Sequence, residues 1–130
     1  LSAQQHSALH PIEDLRACAS IEDVRHLKDA VGQVRMSEEL KRYIVDIVGA
    51  TRKAEGVELG ASPRASLALM KTSQALALFD GQDFVSPEHI QEIAGPVIAH
   101  RLALNPQARF AGKRAEDVVD DILHTLPAPA

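Results

Sequence analysis

Aromatic residues are scarce in this sequence. Phe, Trp and Tyr together make up 3% of the 130 residues, and Trp is absent. A hydrophobic core must therefore be built from Leu, Ile, Val and Ala, which favours packed helices over a β-sandwich. The hydrophobic share of 45% and the charged share of 25% are ordinary for a globular protein, and the length suits one domain with a substantial core.

Cysteine, basic charge and long apolar runs are also lacking. Cys18 is the single cysteine, so the chain cannot form an internal disulfide framework or a thiolate metal site, and we expect a reducing, cytoplasmic location. The net charge of −4 counts against a general nucleic-acid binder. No run of 18 apolar residues occurs, so we expect no membrane insertion.

The sequence lacks the motifs of a self-sufficient catalyst. It has no glycine-rich phosphate loop of the G-x-x-x-x-G-K-[ST] type. His6 and His10 are four residues apart, but no Cys cluster or H-E-x-x-H motif accompanies them. We therefore interpret them as surface or loop residues and predict no metal site. The first residue is Leu1 and not Met, and we expect the sequence to be a piece of a longer protein.

Hydrophobic periodicity predicts an all-α fold, a small bundle of about five helices. Ser20, Ser37, Ser62 and Ser86 are the predicted N-caps. Gly95–Pro96 should kink or split the fourth helix. The predicted helices cover residues 20–31, 37–53, 63–79, 87–104 and 115–125.

These helices predict a domain over residues 20–126. It is preceded by an arm over residues 1–19, with a turn around Pro11, and followed by a tail over residues 127–130. Residues 105–114 are predicted as a loop, and the short "FV" stretch at 84–85 as an extended pair.

The predicted core has two main contributors. The second helix carries one apolar stripe, made of Leu40, Tyr43, Ile44, Ile47, Val48 and Thr51. The third helix is apolar almost all round, which predicts a central position with other helices around it. The predicted core residues are Leu27, Leu40, Ile44, Ile47, Leu67, Leu69, Leu76, Phe79, Ile90, Ile93, Val97, Val119 and Ile122.

A cation stands at an unfavourable place in "LGASPRASL", residues 59–67. With Ser62 as N-cap and Pro63 as the first helical residue, Arg64 falls in the first turn, at the positive end of the helix dipole. It is either a surface arginine that reaches solvent or a nearby carboxylate, or part of an anion site. In the second case the first-turn N–H groups and the guanidinium would grip the same phosphate oxygens.

Several motifs resemble the C-terminal lid of MoxR-type AAA+ ATPases. They are "YIVDIVGATR" (43–52), "LGASPRASLALM" (59–70), "GQDFVSPEHI" (81–90) and "VIAHRLAL" (97–104). The resemblance covers about residues 10–129 and keeps the family's order and spacing.

The resemblance implies a helical lid that closes over ATP bound by a separate nucleotide-binding core. The lid's "GASPRA" motif, residues 60–65 here, supplies an arginine that senses the γ-phosphate. This implies Arg64 as the catalytic sensor and Ala61, Ser62 and Pro63 as its companions at the nucleotide.

The same resemblance implies an ATPase parent that works as a chaperone-like machine maturing target proteins. Its partners would be its own core, neighbouring subunits of a hexameric ring and a von Willebrand A domain protein. The core's phosphate loop, Mg²⁺-binding acids and first sensor are absent from these residues, so we expect the lid alone to hold no ATP and to catalyse no hydrolysis.

Two other functions remain open from the residues alone. A stand-alone helical protein-interaction module would need the same amphipathic helices. A helix-turn-helix DNA binder is permitted by the short turns but disfavoured by the acidic balance and the lack of a basic recognition helix.

Overall fold

The structure is a computed structural model that describes residues 11–130, and this part of the chain is mostly helical. Two 3₁₀ helices, Pro11–Asp14 and Ala99–Arg101, accompany the strands β1 (Val57–Leu59) and β2 (Ala103–Leu104), which pair antiparallel. The all-α prediction is confirmed. The α-helices are α1 (Ile21–Gln33), α2 (Glu38–Thr51), α3 (Pro63–Phe79), α4 (Pro87–Ile98), α5 (Pro106–Phe110) and α6 (Ala115–Thr125).

The four predicted serine N-caps each precede a helix. The Ser20 hydroxyl accepts from the Asp23 N–H at 3.1 Å, and the Asp23 carboxylate accepts from the Ser20 N–H at 2.8 Å, which is a capping box. The Ser37 hydroxyl accepts from a backbone N–H of the first turn of α2. Ser62 and Ser86 each precede a proline at the first helical position, where the missing N–H costs nothing.

The core lies between α2, α3, α4 and α6. The buried residues of α2 are those of the predicted stripe. Helix α3 packs against α1, α2 and α4, which fits its predicted central position, with Leu69 fully buried and Leu76 half-buried. The buried apolar residues from α4 and α6 are Ile90, Ala94, Ile98, Val118, Val119 and Ile122.

Three predicted core residues are exposed. Leu27 is 59% exposed, Leu67 56% and Phe79 91%. Helix α1, which carries Leu27, has no buried residue and packs mainly on α3. Helix α3 buries a single row of small and medium side chains at four-residue spacing, so Leu67 and the terminal Phe79 face away from the core. The apolar pattern predicted cover on all sides, but the described helices leave Leu67 and Phe79 uncovered.

The connections differ from prediction in three places. Residues 105–114, predicted as a loop, contain the short helix α5, and the sheet of β1 and β2 was not predicted. The predicted helix over residues 87–104 ends at Ile98 as α4; it continues through Pro96 without a split and gives way to a 3₁₀ helix at Ala99. A proline removes only one helical N–H, and the packing of α4 against α3 and α6 outweighs that loss.

The α3–α4 turn makes these two helices antiparallel neighbours. Gly81 has φ of 71°, and the N–H groups of Gly81 and Gln82 donate to the carbonyls of Leu78 and Ala77 in a Schellman motif. Phe84 forms the predicted extended segment and bridges to Arg35 in parallel. Because the turn is short, the end of α4 returns to the end of the bundle where α3 begins. No helix among residues 11–130 is long and apolar enough to cross a bilayer.

Candidate functional site

The N-terminus of α3 differs from those of the other long helices. The first turns of α1, α2, α4 and α6 each carry at least one acidic residue, whereas that of α3 carries none and holds Arg64. Hydrogen bonds from backbone N–H groups hold the pKa of Asp23 and the pKa of Glu88 below their ordinary values. An N-terminal turn therefore attracts negative charge in this fold, and α3 contains no carboxylate that meets this demand.

Arg64 is exposed. Within residues 11–130 its side chain makes no hydrogen bond and no ion pair, whereas Arg25 pairs with Glu22 and Arg35 with Asp83. The option of a nearby carboxylate is thus not realised in the described part of the chain. The guanidinium keeps its planar set of donors free for an external anion.

The backbone beside Arg64 also has donor capacity. The Ser62 hydroxyl makes no capping hydrogen bond, and Pro63 has no N–H. The Ala65 N–H donates to the Ser62 carbonyl at 2.9 Å, while the Arg64 N–H has no acceptor among the described residues. One free backbone N–H and one free guanidinium therefore belong to the same residue, an arrangement suited to phosphate oxygens.

The loop before this turn is fixed to the end of α2. The Ala61 N–H donates to Thr51 Oγ1 at 2.9 Å, and Arg52 Nη1 donates to the Ala61 carbonyl at 3.2 Å. Ala61 is fully buried. A β-carbon added at Gly60 would lie 2.6 Å from Arg52 Cα, so only glycine permits this close approach.

Sequence reasoning named the consecutive residues Ala61, Ser62, Pro63 and Arg64 but missed this support. The signal was available, because Thr51 is a polar residue on a predicted buried stripe and must find a hydrogen-bond partner. The partner itself lies ten residues away and could not be identified from periodicity.

The motif "VIAHRLAL" ends close to the same end of the bundle. His100 and Arg101 belong to the 3₁₀ helix that follows α4, and both are exposed. Arg101 Nε donates to the Val97 carbonyl at 3.0 Å, which gives it a local structural partner that Arg64 lacks.

Metal ligands do not gather in the described part of the chain. Among residues 11–130 no group of three or more His, Cys, Asp or Glu side chains could hold a metal ion. His6 and His10 lie outside the described residues. The start of α3 offers an N–H group and the Arg64 guanidinium as donors.

Comparison with known proteins identifies the domain. The model of the AAA lid domain family matches residues 49–122, more than half of the chain. YeaC of Bacillus subtilis is 43% identical over 99% of this chain, and the chaperone MoxR1 of Mycobacterium tuberculosis is 34% identical over 82% of it. The chain spans 40% of the length of YeaC and 31% of that of MoxR1.

A solved structure agrees with these relatives. A crystal structure from Cytophaga hutchinsonii, of a chain described as a "putative ATPase", superposes with a TM-score of 0.79. It is 31% identical, and the match covers 84% of this chain and 36% of that one. The chain thus belongs to the AAA lid domain family. It is a MoxR-type AAA+ lid, as the sequence resemblance predicted.

Proposed function

We propose that this lid closes over ATP held by the core of a longer AAA+ ATPase and that Arg64 contacts the γ-phosphate. The observation that carries the proposal is the Arg64 side chain in the first turn of α3, which has no partner among residues 11–130 and lies in a turn without an acidic residue. A phosphate there would relieve the repulsion between the guanidinium and the helix dipole.

The residues that precede Arg64 have different roles in the proposed nucleotide contact. Ser62 and Pro63 are exposed beside it and form the surface that faces the nucleotide, while Ala61 supports them from within the domain. Mg²⁺ would be held by the core, which would also supply the attacking water and the remaining charge neutralisation. The lid contributes a positioned cation and cannot replace those groups.

We also propose that the core covers the exposed apolar residues near the start of the described chain. Ile21, Val24 and Leu27 on α1 are 73%, 47% and 59% exposed, and Ile12 and Leu15 before it are 64% and 75% exposed. Large contiguous apolar patches are unusual on the surface of a monomer, and several exposed apolar residues close in the chain suggest a covering partner. Contact with the domain's own core would bury these residues.

The whole protein's assembly and biological role are proposals from the family. A hexameric ring, chaperone-like maturation of target proteins and a von Willebrand A domain partner follow from the MoxR resemblance. The relative called chaperone MoxR1 supports the chaperone role. Light scattering of the full-length protein with ATP tests the ring, and a species other than six subunits would refute that part alone.

The experiment for the central proposal compares Arg64→Ala with Arg42→Ala, an exposed arginine on the outer side of α2. If Arg64 holds the γ-phosphate in the ground state, Arg64→Ala weakens ATP binding and leaves ADP binding unchanged. If the contact tightens only in the transition state, kcat falls and KM holds. Arg64→Lys should rescue poorly, because lysine lacks the planar fork. ATP affinity, kcat and KM that all equal those of Arg42→Ala would refute the proposal and favour the alternative that Arg64 is an ordinary surface arginine.

A further inference from the structure

Thr51 links the end of α2 to the loop that precedes Arg64. It is fully buried. Its Oγ1 donates to the Val48 carbonyl at 2.6 Å and accepts from the Ala61 N–H at 2.9 Å. The first hydrogen bond is an ordinary contact of a helical threonine with its own helix. The second reaches across ten residues and uses an acceptor lone pair of the same oxygen, since the first uses only its hydrogen.

Arg52 makes a second link to the same residue. Its Nη1 donates to the Ala61 carbonyl, so both backbone polar groups of Ala61 are held by consecutive residues of the α2 end. The contact is close, since Gly60 lies against the Arg52 backbone with no room for a β-carbon. Ala61 is therefore fixed in position and in orientation.

Little freedom remains between Ala61 and Arg64. Pro63 has a φ restricted by its ring, and it confines Ser62 to extended backbone, as observed with φ of −77° and ψ of 165°. A displacement of Ala61 would therefore be transmitted to the first turn of α3 and to its guanidinium.

We propose that Thr51 is a positioning residue for the phosphate contact of Arg64. The Thr51 hydroxyl, with Arg52 as its second support, sets the direction in which α3 begins and thereby the direction in which Arg64 faces the nucleotide. The inference rests on the proposed function of Arg64. Displacements on the order of 1 Å in such contacts can cost up to about a hundredfold in rate.

The test uses the full-length ATPase with Thr51→Val, which removes the hydroxyl and keeps the branched shape. We expect kcat/KM for ATP to fall about tenfold, and Thr51→Ser, which restores the hydroxyl, to stay within about twofold of the wild type. The matched control is Thr125→Val, which removes an exposed hydroxyl that donates to the Asp121 carbonyl. It should leave kcat/KM unchanged.

The decisive step is to repeat Thr51→Val in an Arg64→Ala background. A residue that acts only through Arg64 causes no further loss there. The same loss in both backgrounds would show a general structural role and overturn the inference. If Thr51→Val has the wild-type kcat/KM and Arg64→Ala has a lowered one, the inference about Thr51 is overturned and the proposed function stands. If Arg64→Ala has the wild-type kcat/KM, the proposed function itself is refuted.

Arg52→Met provides an independent variant if Thr51→Val does not fold. Arg52 is exposed, and methionine keeps the apolar stem while removing the donor to Ala61. We expect a fall in kcat/KM that disappears in the Arg64→Ala background. A wild-type kcat/KM for Arg52→Met, in a preparation whose circular dichroism matches the wild type, would count against the positioning of Ala61 from α2.

Discussion

Among residues 11–130, Thr51 and Ser73 have fully buried side-chain hydroxyls, and only Thr51 has hydrogen-bond partners. Thr51 makes two hydrogen bonds, whereas Ser73 Oγ in the middle of α3 has none among the described residues. A buried polar group without a partner costs free energy, and a paired one becomes costly to remove. Removal of the Ser73 hydroxyl should therefore stabilise the fold, and removal of the Thr51 hydroxyl should destabilise it.

Ser73→Ala should raise the free energy of unfolding by about 0.5–1 kcal/mol. The substitution removes a desolvated hydroxyl and introduces the best helix former. Urea denaturation of this chain measures the change, and Ser66→Ala on the same helix separates helix propensity from burial. A loss of stability for Ser73→Ala would show that its hydroxyl has a partner that this account overlooks.

Substitution by alanine at Gly49 and at Gly60 should change the free energy of unfolding in opposite directions. A β-carbon at Gly49 would lie 3.9 Å from Arg52 Nη2, an ordinary contact, so this position has room for a side chain. Gly49→Ala should therefore stabilise the chain by about 0.5–1 kcal/mol. Gly60→Ala would force the loop away from Arg52 and should destabilise it by about 1–3 kcal/mol. Urea denaturation of both variants measures these changes. Equal shifts of the two unfolding midpoints relative to the wild type would contradict the expected difference between the two glycines.

At the scale of elements, the capping box of α1 makes a pH-dependent contribution. The Ser20 backbone N–H, followed by the Ser20 hydroxyl, lowers the pKa of Asp23 in the folded state from its ordinary value of 3.8. A carboxylate with a lowered folded pKa stabilises the fold above its unfolded pKa, and this contribution is lost as the pH falls through the folded value.

Asp23→Ala should therefore destabilise the chain at neutral pH and lose its effect at strongly acidic pH. The difference in unfolding free energy between wild type and variant is measured by urea denaturation across pH 2–7, a range of about five units around the carboxyl pKa. Asp29→Ala, an exposed residue of the same helix, is the control. A difference that stays constant with pH would contradict the capping role.

Helices with a single well-covered face were the elements that the sequence predicted well. The stripe of α2 and the serine caps obey local rules, since periodicity and N-cap chemistry involve residues close in the chain. Helix α5 and the β1–β2 pair were missed because five residues carry no readable period, and a strand pair joining Val57 to Leu104 depends on tertiary contact. Leu27 was misplaced for a related reason: its periodicity predicts a covered face without saying what covers it.

At the scale of the whole molecule, one end of the bundle combines the free cation of α3 with the support from α2. The position of Arg64 in the first turn was predictable from the cap residues Ser62 and Pro63. Its lack of a partner among the described residues, and the anchoring of Ala61 by Thr51, required the three-dimensional structure. We propose that this end of the bundle is a phosphate contact whose other groups come from the core.

The most direct test of this account is the kcat/KM for ATP hydrolysis by the full-length protein carrying Arg64→Ala, measured at one salt concentration beside wild type and Arg42→Ala. Loss of one or two charge-assisted hydrogen bonds, about 1.5–3 kcal/mol, predicts a fall of about ten- to a hundredfold with an unchanged fold. Arg42→Ala should match the wild type. Equal kcat/KM values for all three proteins would contradict the central claim that Arg64 contacts the γ-phosphate.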